Sequence, residues 1–225
     1  MGCRYDGLSL QNGRGTNMDS LLLKERTIGG RSVCIGVVCD GVGSLRDGAF
    51  AASTAVRLLS SWFDDLEETG AWACGCGTRC TMRTARWRSW PPCRGCGPLR
   101  PFRPWWIDQE RYYIGAYRGT AGFTGCWDGE LVLLTQDQEE GGKLTSCIGR
   151  SAEAVLYYNE GLCRGGTFLL CSDGLYKRMD GDFLQAELSR LSPRTIRKTM
   201  ERLSEYVIGR GETDNISVAL MMSKK

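Results

Sequence analysis

The sequence predicts a mixed α/β layered domain in which strands outnumber helices. Three observations carry that reading. Val33–Gly43 (VCIGVVCDGVG) is an apolar, β-branched run that stops abruptly at Asp-Gly, as a buried strand does at a sheet end. Gly166–Gly174 (GTFLLCSDG) repeats the device, and Thr213–Met222 (TDNISVALMM) opens a strand on an aspartate. Two helical regions, one after Asp47 and one over residues 183–208, lie far apart in the chain.

In chain order, residues 1–19 gather glycines and polar residues around Arg14-Gly15-Thr16-Asn17-Met18-Asp19. Ser20–Leu23 is a short strand candidate ahead of the central strand Val33–Cys39. A polar loop after Gly43 leads to Asp47, which suits a helix N-cap. Ala49, Ala52, Val56, Leu59 and Phe63 then keep helical spacing and give one apolar face, which the acidic stretch Asp64–Glu68 closes. Composition changes sharply from Ala73 to Trp106: seven arginines, five cysteines, four tryptophans and five prolines, with no Lys, Asp or Glu and no helical or strand period. Beyond it, Arg111–Ile114, Glu130–Thr135, Ala154–Tyr158 and Thr167–Cys171 read as strands. Phe183–Leu191 and Pro193–Ile208 read as helices, the second with Pro193 in its first turn and Ile196, Met200, Leu203 and Val207 along one face. The last strand is Ile216–Met222.

A chain of 225 residues fits one domain with a sizeable core, expected to span residues 1–225. Charged residues at 24% and hydrophobic ones at 42% are ordinary for a soluble globular protein. A net charge of +3 gives no ground for nucleic-acid or membrane binding. No apolar run reaches the length of a membrane span, and no apolar stretch of a secretion signal follows the N-terminus. Met-Gly-Cys opens the chain, but Asp6 stands where an acylation motif wants Ser or Thr. The expected location is cytoplasmic. Of 12 cysteines, seven are scattered and several lie in apolar strands, where they act as small hydrophobes. There is no histidine, which excludes Ser-His-Asp and Cys-His catalysis, histidine metal ligands and a histidine general acid.

The chemistry lies in the acidic strand ends. Asp40, Asp173 and Asp214 each stand where a buried strand stops or starts, an arrangement suited to a divalent metal ion. Asp-Gly is also a favoured hairpin turn, and Asp128-Gly129 reads as no more than that. For Asp40-Gly41 and Asp173-Gly174, each after a wholly apolar strand, the residues alone leave both readings open.

The order of the motifs adds a resemblance. Arg14…Asn17-Met18-Asp19 matches an R-x-x-N-x-D opening, and Asp40-Gly41-Val42-Gly43 matches D-G-x-G. Cys147-Ile148-Gly149 matches a small loop before a strand, Ser172-Asp173-Gly174-Leu175 matches S-D-G-L, and Asp214-Asn215-Ile216-Ser217-Val218 matches D-N-x-[ST]-V. Together, in that order, they resemble the metal-dependent protein phosphatase 2C family, bacterial branch. The resemblance implies a four-layer αββα sandwich of two mainly antiparallel sheets flanked by helices. It also implies two Mn²⁺ or Mg²⁺ ions at the sheet ends. Asp40 would bridge both, with the Gly41 carbonyl on one of them, and Asp173 and Asp214 would hold the other. Asp19 would orient metal-bound water, and Arg14 would bind the substrate phosphate. Oxygen donors suit such hard cations. Implied partners are phosphorylated Ser/Thr proteins and a cognate Ser/Thr kinase, and the chain is expected to be a monomer.

The departures are as informative. Val42 stands where eukaryotic members carry a histidine, and Lys177 where S-D-G-L-x is often followed by aspartate. The family's G-T-T and G-D-S-R strands, expected between residues 95 and 130, are missing. Read in a displaced frame with free codon choice, residues 73–83 can give VRLRHEMHDA, residues 99–105 TTFSAL, and residues 118–126 GDSRVYRL. These are the missing pieces in the right order. A frame error in the gene across roughly residues 73–126 is therefore expected, leaving an anomalous stretch in the middle of the fold, and the nucleotide sequence tests it. The competing reading of the same stretch takes Cys74, Cys76, Cys80, Cys93 and Cys96 as a zinc insert, with its arginines and tryptophans binding nucleic acid. The function so implied is a Mn²⁺/Mg²⁺-dependent serine/threonine phosphoprotein phosphatase. A catalytically impaired pseudophosphatase, acting as a binding or regulatory module, is the alternative.

Overall fold

The apolar run at the centre of the sequence becomes β3 (Arg31–Gly41), an 11-residue strand buried without interruption from Val33 to Gly41. The computed structural model describes residues 3–41, 47–65, 99–107, 111–117, 122–135, 139–140, 143–144, 156–163 and 165–223. A tight turn at Gly29-Gly30 joins β3 to β2 (Ser20–Ile28), and β4 (Leu99–Ile107) pairs along its other side. β5 (Arg111–Tyr117) and β10 (Leu156–Leu162) complete this sheet in the order β10-β5-β4-β3-β2. The second sheet runs β1-β12-β11-β6-β7. Its strands are β1 (Arg4–Leu10), β6 (Gly122–Trp127), β7 (Glu130–Leu133), β11 (Thr167–Cys171) and β12 (Ile216–Met222). All of these pairings are antiparallel. A separate ribbon joins β8 (Glu139–Glu140) to β9 (Lys143–Leu144).

The sheets face each other, and side-chain alternation sorts the core into two layers. In β11, Phe168 and Leu170 point between the sheets, as do Ala219 and Met221 of β12, where they meet Val38, Tyr112 and Ile114 of the opposite sheet. Leu169 and Cys171, with Ile216, Val218 and Leu220, point outward. There they pack against α2 (Asp173–Tyr176), α3 (Gly181–Ser189) and α4 (Ile196–Gly209). On the far side, α1 (Gly48–Asp64) lies on β2, β3 and β4. The result is the helix–sheet–sheet–helix sandwich that the resemblance implied.

β11 and β12 coincide with the strands expected at Thr167–Cys171 and Ile216–Met222, and Ile196, Met200, Leu203 and Val207 are the buried face of α4. Four details differ. Asp47 stands at the N-cap position of α1, but its side chain caps no backbone N–H. Pro193 lies in the turn before α4, which starts at Ile196. β1 is a full strand where no period is visible, because β12 pairs with all of it, from Arg4↔Met222 to Leu10↔Ile216. Within the stretch expected to be anomalous, β4, β5 and most of β6 form strands, with a register shift between β4 and β3 at Cys39–Gly41. Ladder pairing with β3 and β11 overrides the odd composition there. Pro101 and Pro104, which cannot donate to a ladder, fall where β4 pairs with β3 alone, since β5 joins only over Trp105–Ile107.

Among the scattered cysteines, Cys34, Cys39, Cys126, Cys163 and Cys171 are buried and Cys3 is half-buried, and none of these six forms a disulfide. Cys147, Val42 and the five clustered cysteines at 74–96 lie outside the described residues, as does the helix expected from the displaced frame at residues 73–83. No helix among the described residues is long and apolar enough to cross a membrane.

Candidate active site

Both sheets deliver carboxylates to one end of the sandwich. Asp40 is the penultimate residue of β3, and Asp19 immediately precedes β2, whose first residue, Ser20, pairs with Cys39. In the other sheet β11 runs out at Cys171, and Asp173 follows after Ser172. Asp214 lies just ahead of β12. Because β11 and β12 are antiparallel, with Cys171 opposite Val218, Asp173 and Asp214 emerge together. The charges of Asp173 and Asp214 both act on Asp19, and those of Asp19 and Asp40 both act on the buried Cys39 thiol. Burial, with those two carboxylates, pushes the Cys39 thiol well above its ordinary range, so it stays protonated and is no nucleophile.

The glycines after Asp40 and Asp173 are explained by space rather than by turn geometry. A Cβ on Gly41 would stand 2.5 Å from the Gly48 carbonyl oxygen and 2.7 Å from that of Met18. One on Gly174 would stand 2.1 Å from the Asn215 carbonyl oxygen. At both places a second backbone passes directly over the strand end, which brings elements distant in sequence to the aspartate. Asp128 and Gly129, by contrast, have φ of 49° and 85° and form the two-residue β6–β7 turn expected of them.

Asn215 is the residue for which sequence reading found no role. It is 5% exposed. Its Oδ1 accepts from the Met18 N–H at 2.9 Å, and its Nδ2 donates to the Gln11 and Thr16 carbonyls at 2.8 and 3.1 Å. One amide therefore pins the irregular loop carrying Arg14 and Asp19 to the start of β12. Asn12 works from the other side, donating to the carbonyls of Glu212 and Asp214. The available signal was chemical: asparagine alone between an aspartate and a buried strand offers two donors and an acceptor to a loop without its own ladder.

Asp19 is the most perturbed acid. Burial raises its pKa to about 6, with Asp173 and Asp214 adding to the shift and the Ser172 and Ser217 hydroxyls opposing it. Its Oδ2 is buried with no hydrogen-bond partner. Two basic side chains reach into the same region. Arg14 Nη2 donates to Asp214 Oδ2 at 2.9 Å, and Lys177 Nζ lies 2.7 Å from Asp173 Oδ2. Asp40, with 8% exposure, is buried.

Whether these residues fit a divalent ion is a question of donors and spacing. The donors fit: they are carboxylates and, at Gly41, a backbone carbonyl, all hard oxygen, and the orphaned Asp19 oxygen calls for a cation or a water. The spacing is looser, since among the described residues no three acidic or cysteine side chains close into one ligand set. Asp173 and Asp214 face Lys177 and Arg14 instead.

The sandwich has the fold of bacterial serine/threonine phosphatases. A serine/threonine phosphatase of S. agalactiae superposes with a TM-score of 0.80 at 18% identity, over 97% of this chain and 98% of that one. PppA, a key regulatory component of T6SS in Pseudomonas aeruginosa, gives 0.75 at 21% identity over 98% and 97%. The catalytic domain of the serine/threonine phosphatase PstP, in complex with 2 manganese ions, gives 0.72 at 19% over 99% of each. At the level of sequence, no family model and no curated protein matches the chain.

Proposed function

We propose that this chain is a metal-dependent phosphatase acting on phosphoserine and phosphothreonine in proteins. The observation that carries the reading is that Asp19 and Asp40 from one sheet and Asp173 and Asp214 from the other stand at the same end of the sandwich, with Arg14 on Asp214. The fold it shares with phosphatases, one of them holding manganese, supports it. Asp40, the Gly41 carbonyl, Asp173 and Asp214 are the residues that would hold Mn²⁺ or Mg²⁺. Such ions, when bound, lower the pKa of water towards neutrality and offset phosphoryl charge.

The chain's own groups supply the rest. Arg14 is exposed over about half its side chain and tied to Asp214 at the surface, so its planar fork can turn to a phosphate and grip two oxygens. Asp19 Oδ2 can accept a proton from a water held in the site and orient it. With no histidine in the chain, the leaving serine or threonine oxygen takes its proton from solvent.

The test is turnover of a phosphothreonine peptide with Mn²⁺, with EDTA, and by Asp40→Asn. Activity should require Mn²⁺, and Asp40→Asn should cost more than the roughly 10- to 100-fold typical of outer-sphere partners of a metal. Turnover unaffected by EDTA, or by the substitution, sinks the reading. A second reading, a pseudophosphatase that binds without hydrolysing, is favoured by the Lys177 ammonium on Asp173. It requires folded protein that holds the phosphopeptide yet shows no turnover.

A further inference from the structure

The two carboxylates assigned above to a single ion each already face a cation of the chain. Arg14 reaches Asp214 from an irregular loop, and its side chain is 54% exposed. Lys177 is placed differently. It stands four residues after Asp173 at the end of α2, and its backbone N–H donates to the Asp173 carbonyl at 3.0 Å. That turn places the ammonium beside the Asp173 carboxylate, 2.7 Å from its Oδ2. The Asp173 side chain is only 3% exposed, so its charge is compensated out of water, where compensation counts for more than at a surface. Four carboxylates would attract two divalent ions.

We propose that Lys177 takes the place of the second ion. Asp40 and the Gly41 carbonyl are left to hold one divalent cation, and the ammonium denies a second one its Asp173 oxygen. The proposal rests on the phosphatase reading of this site. Lys177 is thus a positioning residue for metal content, and its side chain is exposed enough to be replaced without opening the core.

Equilibrium dialysis of the full chain against Mn²⁺ provides the test, with Lys177→Ala, Lys177→Arg and Asp40→Asn alongside. The wild-type chain should saturate at one ion, and Lys177→Ala should take up a second with affinity raised about tenfold or more, corresponding to about 1.4 kcal/mol. Lys177→Arg should remain at one, and Asp40→Asn should lose it. Two ions of like affinity on the wild-type chain, or a single ion on Lys177→Ala, overturns the proposal and leaves the phosphatase reading standing. No Mn²⁺ on any of the chains overturns both.

Discussion

Asp19 keeps a carboxylate oxygen buried without a partner, and the cost of that arrangement has a direction that can be measured. In the folded chain its pKa is about 6, against an ordinary value of 3.8. The folded state therefore binds this proton more tightly than the unfolded one. Above pH 6 the ionised group opposes folding in full, and the opposition fades as pH falls towards 3.8. In metal-free protein, Asp19→Asn should raise stability at pH 7.5 by on the order of 2 kcal/mol. The gain should shrink as the pH approaches 4.5. Thermal melts of both proteins in EDTA at the two pH values check this. A variant less stable than the parent, or a difference indifferent to pH, contradicts it. Added Mn²⁺ should reverse the order, because a cation compensates the aspartate and not the amide.

Between the elements, the close approach at Gly174 does what no single hydrogen bond does: it sets α2 directly over the start of β12. Gly174→Ala would drive a methyl into the Asn215 carbonyl, a backbone group that cannot rotate away. We expect a loss of about 3 kcal/mol, the upper part of the range for overpacking. Gly129→Ala, where the nearest atom is 3.6 Å away and only the positive φ resists, should cost about 1 kcal/mol. Urea denaturation of the two variants compares them, and equal losses would mean that the Asp-Gly pairs are alike after all. The contrast marks where sequence reading works. β11 and β12 were legible because unbroken apolar runs bury both faces, and the acids at their ends were legible because a polar residue there interrupts a strong pattern. β1 was not, since only Leu8 of its seven residues is buried and its form comes from β12. Neither was the Lys177–Asp173 pair, as an i, i+4 spacing matters only once a helical turn is known to lie there. The Asn215 links, spanning about two hundred positions, are invisible to any local pattern.

Across the whole molecule, the two sheets are joined by an aromatic contact. Phe168 of β11 meets Trp127 edge-on at 5.2 Å and Tyr112 of the opposite sheet at 5.4 Å. Phe168→Ala should cost about 3–5 kcal/mol, a large part of the stability of a typical domain. Because the contact spans both sheets, tryptophan fluorescence and far-UV circular dichroism should still report one transition, shifted to lower urea. A change under 1 kcal/mol, or two separated transitions, would show that the sheets are independent. The order in which the strands leave the ribosome has its own consequence. β12 lies between β1 and β11, and 208 positions separate the hydrogen-bonded Ser9 and Ser217. The sheet holding β3 needs only strands that end by Leu162 and can assemble early. β1 must wait for its neighbour, for roughly 10–40 s at about 5–20 residues per second. Once β11 has emerged and until β12 follows it, a newborn chain carries a half-built sandwich with a strand-wide slot beside β11, which is the moment at which a chaperone, or a second nascent chain, competes with β12 for the same edge.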